Sequence, residues 1–350
     1  MTQRVLVTGG AGFIGSHLVD ALVERGDEVV VFDDLSGGLA SNVHPAAQLV
    51  VGSVVDPVAV ERLFTSGFDI VYHLAAYAAE GLSHFIKRFN YQNNVVGSMI
   101  IVNAAVNHSV KHLVFTSSAA VYGAAQLPTT ESTAPEPEDS YGIAKLTVER
   151  ELAITERLFG LSYTIFRPHN VFGERQNVAD RYRNVVGIFM RQVLEGRPMS
   201  VFGDGRQTRA FTHVSRILDA MLAAPHLPGA RNEVFNIGAE QSVSVANLAD
   251  LVRHTLGAPY HPIKHLPARE EVLHVLPDHT KARAVFGEPI GLGLEAGIQA
   301  MAAEAPAQIL RPEPTFPRIE ISRNLPAAWY LPPEGIGAAT AVEDKDARDE

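Results

Sequence analysis

Tyr141 and Lys145 sit four residues apart in SYGIAK, and residues at that spacing share one face of a helix. An ammonium beside a phenol favours the phenolate and draws the tyrosine pKa down toward working pH. A phenol tuned in this way takes a proton from an alcohol and gives it back. Ser118 closes the run LVFTSS, and its hydroxyl can hold the same alcohol oxygen. Tyrosine and lysine at this spacing also occur on ordinary solvated helix faces. The pair gains weight from what precedes it in the chain.

What precedes it is TGGAGFIG, with glycines at 9, 12 and 15. The first glycine permits the tight turn from strand to helix. The second lets a pyrophosphate approach the backbone, and the third lets helix and strand pack closely. The helix start then offers free N–H groups and a positive dipole end to phosphate. Asp33 follows the next apolar run. A carboxylate there accepts from a ribose 2′-hydroxyl and repels a 2′-phosphate, which predicts NAD rather than NADP.

The elements that must position these residues follow from the apolar pattern. Residues 4–8, 28–32, 48–51, 70–74, 112–116 and 162–166 read as short buried strands, with helical stretches between them. The first helix is expected over 17–25. Strands alternating with helices predict an α/β fold with a doubly wound parallel sheet of Rossmann type. Past about residue 170 the rhythm breaks at Pro198, Gly203 and Gly205. The expected organisation is a dinucleotide domain over 1–170, interleaved with later segments. A smaller mixed α/β substrate lobe over 171–330 and a tail over 331–350 complete it. A chain of 350 residues is long enough to divide its core in this way.

Composition narrows the function classes. A net charge of −10 argues against a nucleic-acid surface, which needs a basic stripe. The chain has no cysteine, so a disulfide framework and a thiolate nucleophile are both excluded. The start MTQRVLVT runs directly into a strand pattern, and no long apolar run follows. No membrane partner and a cytoplasmic location are expected.

In chain order, TGGAGFIG, HLAA (73–76), TSSAAVYG (116–123), YGIAK (141–145), RPHNVFGERQ (167–176) and FGDGRQTRAF (202–211) resemble the extended short-chain dehydrogenases/reductases. Within these the sequence most resembles the UDP-glucose 4-epimerase group, over about residues 3–330. The resemblance implies that Tyr141 is the general base and acid, that Lys145 tunes it and holds the nicotinamide ribose, and that Ser118 binds the reacting hydroxyl. It implies NAD contacts at Gly9, Gly12, Phe13, Ile14, Gly15, Asp33, Asp34, Leu35, Ser36, Gly37, Ser53 and Val54. Further NAD contacts are implied at Leu74, Ala75, Ala76, Asn94, Thr116, Tyr141, Lys145, Pro168, Asn170 and Val171. For a nucleotide-diphosphate sugar it implies Ser118, Tyr141, Asn170, Asn184 and Val185. Phe202 would stack near the base, and Arg209 and Arg269 would hold the diphosphate. A guanidinium fork suits that task. No metal is implied. A homodimer is implied, formed through the helix of Tyr141 and the one around 94–107.

The sequence also departs from the group. Ser53 stands where an aspartate often follows the glycine, and Ala78 and Ala79 stand where some bacterial members carry a lysine. The loop from Arg269 to Asp278 is one residue shorter than in the best-known bacterial epimerases. Asn177 occupies the place of an arginine found in relatives acting on uronic acids, which disfavours a carboxylate substrate.

Three chemistries share this scaffold. A 4,6-dehydratase needs a carboxyl pair beside the serine or threonine, and a sugar-acid decarboxylase tends to carry a glutamate there. This sequence reads Ser118-Ala119, with no acid before Tyr122. Epimerisation at carbon 4 of a UDP-glucose or UDP-galactose type sugar needs only the Ser/Tyr/Lys set, and is the expected reaction. The alternatives are an epimerase for UDP-glucuronate, a UDP-N-acetylhexosamine or an ADP-, GDP- or CDP-sugar, or a dehydratase or NAD-linked oxidoreductase. A non-catalytic NAD-binding regulator on this fold usually lacks the Tyr/Lys pair that this chain keeps.

Overall fold

The computed structural model describes residues 2–180, 182, 184–268, 273–309 and 319–326. Six strands arrive in the expected order: β1 (Arg4–Thr8), β2 (Glu28–Asp33), β3 (Gln48–Val51), β4 (Ile70–His73), β5 (His112–Thr116) and β6 (Ser162–Pro168). Between them run α1 (Phe13–Glu24), α2 (Pro57–Phe64), α3 (Glu80–Ser83), α4 (Lys87–Tyr91), α5 (Gly97–Asn107) and α6 (Ser140–Phe159). A π-helical turn over Gln92–Val96 joins α4 to α5. Helix α1 starts four residues before the expected point, because Gly12 already serves as its N-cap and the glycine run hides the start. Strands β2 and β6 run on by one and two residues beyond the apolar runs.

The chain then passes through β7 (Val171–Phe172), α7 (Val185–Leu194), β8 (Met199–Phe202), β9 (Thr208–Ala210), β10 (Thr212–His213) and α8 (Ser215–Ala223). After these come β11 (Glu233–Ile237), β12 (Ser242–Ser244), α9 (Val245–Thr255), β13 (Ile263–Leu266), β14 (His274–Val275), α10 (Thr280–Phe286) and α11 (Leu294–Ile309). Strand β11 was not singled out from the sequence. It joins the main sheet beside β6, giving the order β11-β6-β5-β4-β1-β2-β3, parallel at every pairing.

Side chains alternate across this sheet, as the pleat requires. Leu6, Phe32, Val71, Phe115 and Ile165 bury on one face, among residues of α2, α5 and α6. Val5, Val7, Val31, Tyr72, Val114 and Phe166 bury on the other, among residues of α1, α8 and α10. Burying each such large side chain is worth roughly 1.5–3 kcal/mol. A separate core gathers Phe189, Met190, Met199, Val201, Leu248, Val252 and Ile298 around α7, α9 and α11. Among the described residues, no helix is long and apolar enough to cross a membrane.

Candidate active site

The strand order reverses between β1 and β4, and in open α/β sheets ligands settle at the carboxyl ends of the strands at such a point. The turns leaving β1, β4, β5 and β6 meet there in a cleft of about 1210 Å³. Single-ligand pockets usually measure roughly 300–1,000 Å³, so this one has room for two.

The glycine turn has the shape a dinucleotide needs. Gly9 lies at φ +72°, the left-handed region, and a side chain on it would run into the backbone of Leu74 and Ala75. A Cβ on Gly15 would stand 2.2 Å from the Gly9 carbonyl, so close packing of α1 on β1 requires glycine there. Asp33 ends β2, nearly buried. Its carboxyl accepts from the N–H groups of Ala11 at 3.0 Å and Leu35 at 2.8 Å. Burial pushes the carboxyl's pKa above its ordinary value, against the pull of these two bonds. One acid therefore braces the glycine turn and lines the cleft. Among the described residues that line the cleft, three buried polar atoms have no partner: Thr116 Oγ1, Arg175 Nη1 and Gln176 Oε1. A hydroxyl oxygen and a guanidinium N–H left open in a cleft with a glycine cradle fit a ligand rich in ribose hydroxyls and phosphate oxygens.

Helix α6 carries Tyr141 and Lys145. Asp139 caps it by accepting from Gly142 N–H at 2.8 Å, and Gly160 closes it. Lys145 is buried at 3% exposure. Its Nζ donates to the Thr116 carbonyl at 2.7 Å. It lies 4.7 Å from the Phe115 ring centroid and 5.7 Å from that of Tyr141. Burial lowers the lysine pKa to about 7, while Glu149 one turn on holds it up. Ser118 follows β5 and opens a short turn over Ala119–Tyr122, its hydroxyl accepting from Ala120 N–H at 3.1 Å. Ser118, Tyr141 and Lys145 thus converge on one cleft.

Behind them lies a buried polar network. Arg167 forks onto Glu149 at 2.9 and 2.5 Å and donates to Tyr122 Oη at 2.8 Å. Ser117 Oγ donates to Glu149 at 2.5 Å. Tyr122 Oη donates to Asn236 Oδ1 at 2.7 Å, which ties β11 to this network. His73, in the HLAA segment, is enclosed between Thr8 Oγ1 at 2.7 Å and Ser98 Oγ at 2.8 Å. Burial first, and the Lys145 charge second, push its pKa down to about 3. His73 is therefore neutral and braces the strands.

Of the NAD residues expected from the sequence, Gly9, Gly12, Phe13, Ile14, Gly15, Asp33, Asp34, Ser36, Gly37, Val54, Leu74, Ala75, Ala76, Thr116, Pro168, Asn170 and Val171 all line the cleft. Leu35, Ser53 and Asn94 are not among its lining residues. Leu35 bonds to Asp33 through its backbone. Asn94 is buried, accepting from Tyr77 N–H at 2.8 Å and donating to the Tyr77 carbonyl at 3.0 Å, so it shapes the wall from behind. Asp56, a few residues past Ser53, caps α2 by accepting from Val58 and Ala59 N–H.

Of the substrate residues, Asn184, Val185, Phe202 and Arg209 line the other end of the cleft. Asn184 caps α7 and also donates to the Val171 carbonyl at 3.0 Å. The positive end of α7 therefore opens on the cleft, as suits a diphosphate. Arg209 Nη1 donates to the Thr208 and Leu273 carbonyls at 2.9 and 2.8 Å. Arg269 and the 331–350 tail lie outside the described residues. Sequence reading did not single out Tyr77, Glu80, Leu82, Phe89, Arg175, Tyr182 or Arg191, which also line the cleft.

A family model for the NAD dependent epimerase/dehydratase family matches residues 5–238. The UDP-glucose 4-epimerase of Mycolicibacterium smegmatis is 35% identical over 303 residues, 85% of this chain and 96% of that one. The UDP-N-acetyl-alpha-D-glucosaminuronate decarboxylase of Bacillus cytotoxicus is 33% identical over 316 residues, 85% of this chain and 96% of that one. The crystal structure of UDP-glucose 4-epimerase from Thermotoga maritima with UDP-glucose superposes with a TM-score of 0.83 at 34% identity. The match covers 87% of this chain and 99% of that one.

Proposed function

The chain belongs to the NAD-dependent epimerase/dehydratase family, and from that premise we propose that it epimerises a UDP-hexose at carbon 4. The observation that carries this reading is the turn beside Tyr141. Ser118 is followed by the small, buried side chains of Ala119 and Val121, with no carboxyl pair on the turn. Two nearby acids are committed elsewhere: Glu149 to Arg167 and Glu131 to the Asn236 N–H at 2.7 Å. Water elimination across carbons 5 and 6 needs an added acid and base, whereas inversion at carbon 4 does not.

Bound NAD supplies hydride chemistry at carbon 4 of the sugar. Tyr141 takes the proton of the 4-hydroxyl and later returns it. Lys145 holds positive charge beside the phenol and hydrogen-bonds to the Thr116 carbonyl. Ser118 holds the sugar oxygen in line with Tyr141. The 4-keto sugar turns over about its diphosphate link, which the start of α7 and Arg209 hold. In this assignment residues 1–170, completed by β11, carry the dinucleotide and 171–330 carry the sugar nucleotide. The NAD and substrate residues expected from the sequence, Arg269 included, keep those roles in this reading. Leu35, Ser53 and Asn94 act through the backbone they brace.

One observation favours a second reading. Glu80 opens α3 and lines the same cleft as Tyr141. In a dehydratase it would serve as the added acid–base group. Incubating the protein, as purified, with UDP-glucose, UDP-galactose and other nucleotide sugars separates the two. A stereoisomer of unchanged mass is expected, and a deuterium label at carbon 4 should stay in the product. Loss of water or carbon dioxide would refute epimerisation.

A further inference from the structure

Residues 319–326 run along the outside of the wall that faces Tyr141. The Glu320 carboxylate accepts the backbone N–H groups of Arg88 at 2.8 Å and Phe89 at 3.0 Å, in the first turn of α4. In the other direction, the N–H groups of Glu320 and Ile321 donate to the Phe85 carbonyl at 2.9 and 3.1 Å. Ile319 and Leu325 pack on the cluster of Ala79, Leu82 and Ile86.

The inner side of the same wall grips the start of α6. Asn90, on α4 and fully buried, donates to the Ser140 carbonyl at 2.7 Å. Ser83, on α3 and 1% exposed, accepts from the Tyr141 N–H at 3.2 Å and donates to the Glu80 carbonyl at 2.6 Å. Leu82 and Phe89 from these helices line the cleft itself.

Helix α4 has five residues, and Ile86 before it offers no side-chain cap. It runs on through the π-helical turn into α5, so these residues are the open N-terminal end of a longer helical run, and its first N–H groups need an acceptor from outside. A carboxylate accepting two N–H groups at a helix start is a strong cap, because charge assists both bonds and opposes the dipole. That cap comes from 232 residues further along the chain.

We propose that Glu320 is a positioning residue: by capping α4 from outside, it holds Asn90 and Ser83 against Ser140 and Tyr141 and so fixes the phenol in the cleft. The inference rests on the proposed function only in taking Tyr141 as the proton-transfer group.

The test uses the full chain with Glu320→Ala, Glu320→Gln and Ser83→Ala, read by hydrogen–deuterium exchange, by retained NAD and by kinetics on UDP-galactose. Glu320→Ala should speed exchange at the amides of Arg88, Phe89 and Tyr141. It should lower kcat about 3- to 30-fold, the range for networked residues that touch no ligand, and leave retained NAD unchanged. Glu320→Gln keeps an acceptor oxygen and should restore most of the loss. Combined with Ser83→Ala, the alanine at 320 should cost less than it does alone, because the two share one path. Should Glu320→Ala fail to fold, Glu320→Asp, one methylene shorter, should show the same changes in smaller measure. Faster exchange at Arg88 and Phe89 with an unmoved Tyr141 amide and unmoved kcat would overturn the proposal. If no nucleotide sugar turns over, the function reading fails, and exchange at the Tyr141 amide still decides this one.

Discussion

Replacing Lys145 with methionine should stabilise the protein near neutral pH while abolishing its activity. The lysine pKa falls from 10.5 to about 7 through burial, opposed by Glu149. Between those values the unfolded chain binds a proton that the folded chain does not. The folded pKa is the lower one, so the penalty is full below about 7 and fades as pH rises toward 10.5. One pKa unit is about 1.4 kcal/mol, which sets the penalty on the order of 4–5 kcal/mol. Methionine has similar length and no charge, but leaves the Thr116 carbonyl without this donor, a cost of about 1–3 kcal/mol. The variant should therefore gain about 1–4 kcal/mol near pH 6.5. The gain should shrink by roughly 1.4 kcal/mol per pH unit above about 7 and change sign before about pH 10. Urea unfolding of NAD-stripped wild type and variant, compared at several pH values, measures this difference with all other titrating groups in common. A difference that stays flat with pH would refute the reasoning, because it would mean that the folded state holds the ammonium at no cost. Turnover of the variant should be lost and NAD affinity weakened, since the charge beside Tyr141 and a ribose partner go together.

Tyr141→Phe should keep the fold and NAD affinity while turnover falls by a factor on the order of 100 or more, measured by product formation against NAD titration. Asp33→Ala should narrow the preference for NAD over NADP in titrations of stripped protein; an unchanged ratio would remove Asp33 from cofactor choice. A homodimer is expected by light scattering, formed through α5 and α6. Leu158→Asp on α6, at a side chain 63% exposed in the single chain, should shift it to monomer, and a monomer in the unmutated protein would contradict the assignment.

The parts of the fold that were legible are those whose signal is local. Strands β1, β2, β4, β5 and β6 bury both faces, so they read as continuous apolar runs between turns, while β3 at the sheet edge is half-exposed. The pattern HLVFT can be nothing else once EVVVF and RVLVT precede it at helix-length spacing. Strand β11 escaped because EVFNI is short and follows two short helical turns. Two of its five residues are polar for reasons made elsewhere: Glu233 pairs with Lys281 at 2.6 Å, and Asn236 takes the Tyr122 hydroxyl. The same division holds at the site. Ser118, Tyr141, Lys145 and the glycines each belong to a short spacing with chemical meaning. Arg175 and Glu320 matter through partners over a hundred residues away, Asp20 and Glu304 for Arg175 and Arg88 and Phe89 for Glu320. No periodicity marks such residues.

The same distinction explains how one helix face can be read correctly and still be read incompletely. Tyr141, Lys145 and Glu149 recur every four residues on α6, so the third belongs to the face that carries the first two. A carboxylate one turn from Lys145 lies within reach of an ion pair with it. A full ion pair between them would hold the lysine near its ordinary value and would commit its proton to Glu149. The fold instead gives both oxygens of Glu149 to Arg167, with Ser117 as a third partner. Arg167 comes from β6 and is itself held by Tyr122. Because the guanidinium neutralises the carboxylate at close range, Glu149 only moderates the cost of burying Lys145. The lysine proton stays with the Thr116 carbonyl, between the rings of Phe115 and Tyr141. The charge available to the phenol is thus set by an arginine that is no part of the cleft wall, and that dependence arises only when β5, β6 and α6 are packed together.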